Sequence, residues 1–166
     1  MKAVLTIILS LLFLDPVNVT VEKWVIDNQS SLTIEGKTNV SRFKCVIVEY
    51  LNHDTILLYK DPGYQKPITT NGGLTININR FNCQDNHITS DLKKALKADE
   101  NAYMKINLLT LGYITQNTQN QRIKGNVEIL LAGVTKKLDI DYTVLKNQAG
   151  ILHLIGSASC YFLTLN

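Results

Sequence analysis

The sequence predicts a single all-β domain, an antiparallel barrel or sandwich of about eight strands, and three observations carry that expectation. Apolar and polar residues alternate with a period of two over many short segments, turn residues punctuate them, and one interval alone takes the helical period. A chain of 166 residues with 45% hydrophobic content is long enough to bury one sizeable core. No linker-like stretch divides it, so residues 21–166 are expected to form one domain.

The amino end has the layout of an export signal. Met1-Lys2 is a short positive start, Ala3 to Leu14 is an apolar run, and Asp15-Pro16 stops it. At about 1.5 Å per residue that run covers roughly 18 Å, short of the ~30 Å core of a bilayer. Residues 1–20 therefore read as a signal whose cleavage falls between Leu14 and Val21, with an uncleaved tether as the alternative because no A-x-A-like site follows. No cysteine follows the run, which excludes a lipoprotein anchor there, and the expected destination is the periplasm or the exterior.

The first strand candidates are Trp24 to Asp27, Ser31 to Gly36, Ser41 to Leu51 and Thr55 to Lys60, after which Asp61-Pro62-Gly63 marks a turn. Asn71-Gly72-Gly73 signals another turn, because these residues tolerate positive φ. It precedes a strand with Leu74, Ile76 and Ile78 on one face and Thr75, Asn77 and Asn79 on the other. Met104, Ile106 and Leu108 open a segment that turns apolar on both faces at Leu109 and Leu111, the pattern of a strand covered on both sides. Ile123, Val127, Ile129 and Leu131 then alternate with Lys124, Asn126, Glu128 and Leu130. Leu138, Ile140, Tyr142 and Val144 alternate with Lys137, Asp139, Asp141 and Thr143, and Ala132-Gly133 between the two segments predicts a tight antiparallel turn. Lys146 to Gly150 is a further connection, and Ile151 to Leu165 reads as a longer last strand.

One short helix, residues 89–98, breaks the period. Thr89 or Ser90 can cap it, Leu92, Ala95 and Leu96 share a face, and Lys93, Lys94 and Lys97 point to water. It reads as a solvated connection that protects an edge, with a lid over one barrel end as the sharper alternative.

Chemistry is harder to place. His53, His87 and His153 lie far apart with no paired-ligand spacing, and His153 shares strand parity with Ile151 and Ile155. No nucleophile elbow, phosphate loop or dinucleotide fingerprint is present, so no enzyme, metal or cofactor is expected. Asp139 and Asp141 share a polar strand face beside Lys137, which a solvated surface explains. Asn18, Asn28 and Asn39 begin N-x-[ST] sequons that would matter only in a eukaryotic secretory pathway. A net charge of +3 without a basic block argues against nucleic acid and allows a membrane-surface association. Export permits one bridge among Cys45, Cys83 and Cys160. The matching settings Arg42-Phe43-Lys44-Cys45 and Arg80-Phe81-Asn82-Cys83 favour the Cys45 and Cys83 pair, while three buried thiols remain the alternative.

Several stretches together resemble the YceI-like family of exported bacterial proteins. Trp24-Val25-Ile26-Asp27 with Ser30-Ser31-Leu32 is similar to its opening strand, and Ile34 to Cys45 to its "G-x-[ST]-N-V-x-x-F-x-C" segment. Ile129-Leu130-Leu131-Ala132-Gly133-Val134-Thr135-Lys136 resembles its "L-x-[IL]-A-G-V-T-K" phrase, and Asp91 to Ala98 resembles its helix. The resemblance implies a lipocalin-like antiparallel barrel around a long apolar pocket, polyisoprenoid or related lipid chains as ligand, and no catalytic residue. Two departures stand out: Ala102-Tyr103-Met104 replaces the aromatic-proline motif, and Leu163 to Asn166 stand where the family continues into a final strand. Lacking that strand, the barrel is expected to be open along one edge.

The inward parity supplies the expected ligand lining: Leu74, Ile76, Ile78, Met104, Ile106, Leu108, Ile123, Val127, Ile129, Leu131, Leu138, Ile140, Tyr142 and Val144. An eight-stranded barrel is wide enough to hold one slender ligand or to fill itself, and a packed core uses the same residue types. The function expected is non-enzymatic carriage of a long apolar, lipid-like molecule. The alternative is a structural or interaction protein with a packed core and an open edge strand, completed by a partner or a second copy as a homodimer.

Overall fold

The computed structural model describes residues 19–37, 42–47, 50–61, 65–115, 120–147 and 150–159. The apolar run of the expected signal, Asn18, Asn39, Pro62-Gly63, Cys160 and the expected strand beyond Ser159 lie outside the described residues. The strands are β1 (Thr20–Val25), β2 (Leu32–Lys37), β3 (Arg42–Ile47), β4 (Thr55–Lys60), β5 (Ile68–Asn77), β6 (Tyr103–Leu111), β7 (Asn120–Leu131), β8 (Val134–Lys146) and β9 (Leu152–Ser157). The helix α1 spans Asn86–Ala95.

All pairings are antiparallel, as the alternating patterns predict. Seven strands form one sheet in the order β1-β4-β5-β6-β7-β8-β9, and β2 and β3 form a separate hairpin. The sheet curls strongly into a half-barrel, an all-β architecture consistent with the lipocalin-like expectation. Backbone pairing among the described residues leaves β1 and β9 as sheet edges. The reason lies in the partner of β1, which pairs with β4 from Thr20↔Lys60 to Val25↔Thr55 and so leaves the intervening β2–β3 hairpin outside the sheet.

Two sequence expectations fail at bulges. Asn71-Gly72-Gly73 is not a turn but lies inside β5, where the register against β6 shifts between Thr69 and Gly73. Glycine is needed there for closeness: a Cβ on Gly72 would lie 2.2 Å from the Thr55 carbonyl oxygen, and one on Gly73 2.0 Å from that of Ile106. Leu109 does not mark a strand covered on both sides. The β6 register steps from Leu108↔Val127 to Thr110↔Asn126, so Leu109 is the inserted residue. That insertion turns Leu111 inward, fully buried, and sends Thr110 out to donate to Asn126 Oδ1 at 2.6 Å. Thr70, a buried polar residue, donates its hydroxyl to the Leu108 carbonyl at 2.7 Å beside this irregularity.

Other boundaries differ locally. The Asp85 carboxylate caps α1 by accepting from the His87 and Ile88 amides, so the helix starts before Thr89, whose hydroxyl instead serves Cys83 N and Asp85 O. Leu92 and Leu96 are buried, but Ala95 is exposed, because the helix ends at that residue and Leu96 turns back under it. The buried pair also corrects the reading of α1 as a solvated connection, since both join the core beside the β2–β3 hairpin. Ile78 lies beyond β5 in a 3-10 turn, yet is fully buried. Ala132 and Gly133 take φ of 52° and 78°, the paired positive values of a two-residue hairpin turn.

A disulfide joins Cys45 of β3 to Cys83 ahead of α1. It runs alongside a backbone bridge in which Val46 and Asn82 exchange hydrogen bonds of 2.9 and 3.2 Å. The bond and the bridge tie the detached hairpin to the main body. Closing a loop of separation 38 stabilises the fold by about 4 kcal/mol through the unfolded chain.

Two predictions follow from these ties. Replacing Cys45 and Cys83 together by serine lowers the unfolding free energy in urea by about 4 kcal/mol, and reductant then has no further effect on the variant. Thr70→Val leaves the Leu108 carbonyl without its donor and costs about 1–3 kcal/mol, read from the same urea midpoint with unchanged slope.

Candidate functional site

The fourteen residues expected to line a ligand all belong to, or pack against, two buried apolar clusters, but unequally. Ile76, Ile78, Met104 and Leu131 are buried in a cluster with the disulfide, Phe81, Leu92 and Leu96. Leu108, Ile123, Val127, Ile140, Tyr142 and Val144 are buried in a second cluster with Ile56, Leu58, Ile68 and Leu111. Leu74, Ile106, Ile129 and Leu138 are only partly buried. Ile106 and Ile129 touch both clusters, so the strip between the two buried groups keeps apolar surface open.

Exposure of the inward face grows toward the sheet edges. Leu152 and Leu154 of β9, Trp24 on β1 and Ile26 just beyond it are apolar, inward and half-buried, as are Leu32 and Ile34 of the hairpin. None of these was in the expected lining. For Leu152 and Leu154 the obstacle is that Ile151, His153 and Ile155 alternate with them, leaving an apolar run without a readable face. The structure settles the parity: Ile151, His153 and Ile155 are exposed on the convex side. For Trp24 and Ile26 the period-2 spacing was available as a signal.

The Tyr142 ring fills the wall of the second cluster by lying over two glycines. A Cβ on Gly125 of β7 would stand 2.9 Å from Tyr142 Cε2, and one on Gly156 of β9 2.5 Å from Cε1. Burial pushes the Tyr142 phenol up to about 12. Near the first cluster, Tyr50 fastens the β3–β4 connection to β5. Its hydroxyl donates to Asp54 Oδ2, and the Thr75 amide donates to both groups at 3.0 and 2.8 Å. Asn52 Nδ2 adds a bond of 2.6 Å to the Thr75 carbonyl. Burial first, and the Asp54 carboxylate second, push the Tyr50 phenol up to about 12.

The polar groups on the outer face make a solvated surface. Asn126 donates to Asp139, and Asp141 projects from the same exposed face of β8. His53, His87 and His153 are all exposed on separate elements. Among the described residues no group of three His, Cys, Asp or Glu side chains converges as a metal site, and no helix is long and apolar enough to cross a membrane. Two depressions open elsewhere on the surface. One, of about 460 Å³, lies over Arg122–Lys124 and Asp141–Thr143; the other, of about 290 Å³, lies at the sheet end around Tyr59, Lys60, Pro67, Ile68 and Tyr113.

Comparison with known proteins returns no family model, no curated protein and no solved structure that matches the chain.

The two tyrosines give a signed pH dependence. Their folded-state values of about 12 stand above the ordinary 10, so folding favours the neutral phenols. Their contribution is whole below about pH 10 and is lost as pH rises through 12. Unfolding free energy measured in urea should therefore fall across that window, and Tyr142→Phe, which keeps the ring, should shallow the fall.

Proposed function

We propose that the chain is a non-enzymatic binding or carrier module that takes a long apolar ligand along the concave face of the half-barrel. The observation that carries this reading is the strip of inward, half-exposed apolar side chains formed across β5 to β8 by Leu74, Ile106, Ile129 and Leu138. Isolated exposed apolar residues are ordinary, but a continuous set on the inner side of a curled sheet is surface that water solvates poorly. A slender hydrocarbon fits such a strip, each CH₂ moved out of water contributing about 0.8 kcal/mol. The resemblance to the YceI-like family points to polyisoprenoid or related lipid chains. The signal-like start points to the periplasm or the exterior, where a disulfide between Cys45 and Cys83 persists.

Mild organic extraction of protein purified from its native host, followed by mass spectrometry, should release a long apolar molecule. Ile129→Lys should weaken binding of a fluorescent isoprenoid probe by tenfold or more, because it places a charge in the middle of the strip. Extracts that are repeatedly empty, together with a probe affinity indifferent to Ile129→Lys, would sink the proposal. A second reading, an interaction protein with a filled core, draws on the edge of β9 that has no strand partner among the described residues, and it is the reading that empty extracts would leave standing.

A further inference from the structure

The outer edge of the sheet contains a sequence that reads the same in both directions. Gly150-Ile151-Leu152-His153-Leu154-Ile155-Gly156 is palindromic about His153. Antiparallel pairing of one strand with its own copy places residue i opposite j and j opposite i, so a palindrome places each residue opposite its like. Centred on His153, this register sets Ile151 against Ile155 of the copy, Leu152 against Leu154, and His153 against itself.

The backbone of β9 is oriented for that register. Asn147 N donates to the Ile151 carbonyl at 3.0 Å and the Ile151 amide donates to Asn147 Oδ1 at 2.8 Å, so Ile151 aims both its groups at β8. Successive residues of an antiparallel strand aim their backbone groups at opposite sides. His153 and Ile155 therefore also bond β8, and Leu152 and Leu154 present their N–H and C=O to the side of β9 that has no strand among the described residues. In the self-paired register those two are opposite each other and exchange both bonds of each pair, and His153 forms the close, non-hydrogen-bonded pair on the two-fold axis.

Side chains agree with the backbone. Ile151 and Ile155 are 53% and 56% exposed on the convex face, where each would cover the other across the junction. Leu152 and Leu154 are half-exposed on the concave face and would gain the copy's leucines as neighbours. Edge strands are ordinarily blunted by lysine, proline or other charges. β1 carries Glu22 and Lys23, whereas β9 from Leu152 to Ser157 has no lysine, arginine, carboxylate or proline.

We infer that β9 is the interface of a symmetric homodimer, in which two half-barrels join edge to edge about His153 into one continuous sheet. This goes beyond the apolar-ligand reading and does not depend on it.

Sedimentation velocity of the full chain should show a concentration-dependent equilibrium between monomer and twice its mass. Ile155→Lys should weaken association by tenfold or more without changing the circular dichroism spectrum, while Val25→Lys on the opposite edge leaves association unchanged. In a Cys160→Ser background, His153→Cys should cross-link to its copy when diamide takes up the two thiol hydrogens, giving a doubled mass on a non-reducing gel. Ile151→Cys alone, facing Ile155 of the copy, should stay uncross-linked, and the double variant Ile151→Cys with Ile155→Cys should cross-link. A monomer at every concentration, or a dimer that His153→Cys does not trap, overturns the inference. So does a monomer that associates only after removal of residues 160–166, since that result assigns the edge to this segment.

Discussion

A curled sheet must cover its apolar inner face, and in this fold the cover comes from pieces outside the sheet. The decisive constraint is the β1 to β4 pairing, which leaves β2 and β3 free to fold across one end. There the hairpin meets α1 and the 3-10 turn, and Phe43, Cys45, Ile47, Phe81, Leu92 and Leu96 pack into one body. The disulfide sits in the middle of that arrangement with Cys45 wholly buried, so the cover is fastened from inside. At the other end the wall is made by the long strands themselves, with Leu58 and Leu111 fully buried.

The two bulges explain how one sheet serves both ends. An unbroken ladder of period-2 residues twists smoothly, whereas an inserted residue bends the strand and shifts which side chains face inward. On β6 the insertion falls at Leu109, within the second cluster, between the buried Leu108 and Leu111. On β5 the paired glycines allow β4 and β6 to approach more closely than any side chain would permit.

Much of this was legible in the sequence, for a physical reason that also marks where reading stops. β7 and β8 alternate so regularly that their facing residues, their turn at Ala132-Gly133 and their antiparallel pairing all follow from the pattern. The set named from parity falls within, or packs against, the two buried clusters. Bulges are not legible in this way, because glycines that relieve crowding look like glycines that make a turn, and an inserted leucine looks like a doubly covered strand. The helix start was missed because two cap-forming residues, Asp85 and Thr89, stand a turn apart, and the earlier one binds the free amides. At β9 the hydrophobic run is symmetric about His153, so parity had no polar side to anchor it. The pairing of β1 with β4 is a long-range contact that no local pattern encodes.

The Tyr142 ring has a consequence for how this wall can change. Its faces occupy the volume that a side chain at position 125 or 156 would need, on the strands to either side. The two glycines are not equivalent, however. At position 156 the three nearest atoms to a Cβ belong to the Tyr142 and Ile140 side chains, so bulk gained there can be given up by the ring, whereas at position 125 the Thr110 backbone carbonyl oxygen stands 2.7 Å from a Cβ whatever the ring becomes. Drift at this spot should therefore couple Tyr142 with Gly156 and leave Gly125 fixed.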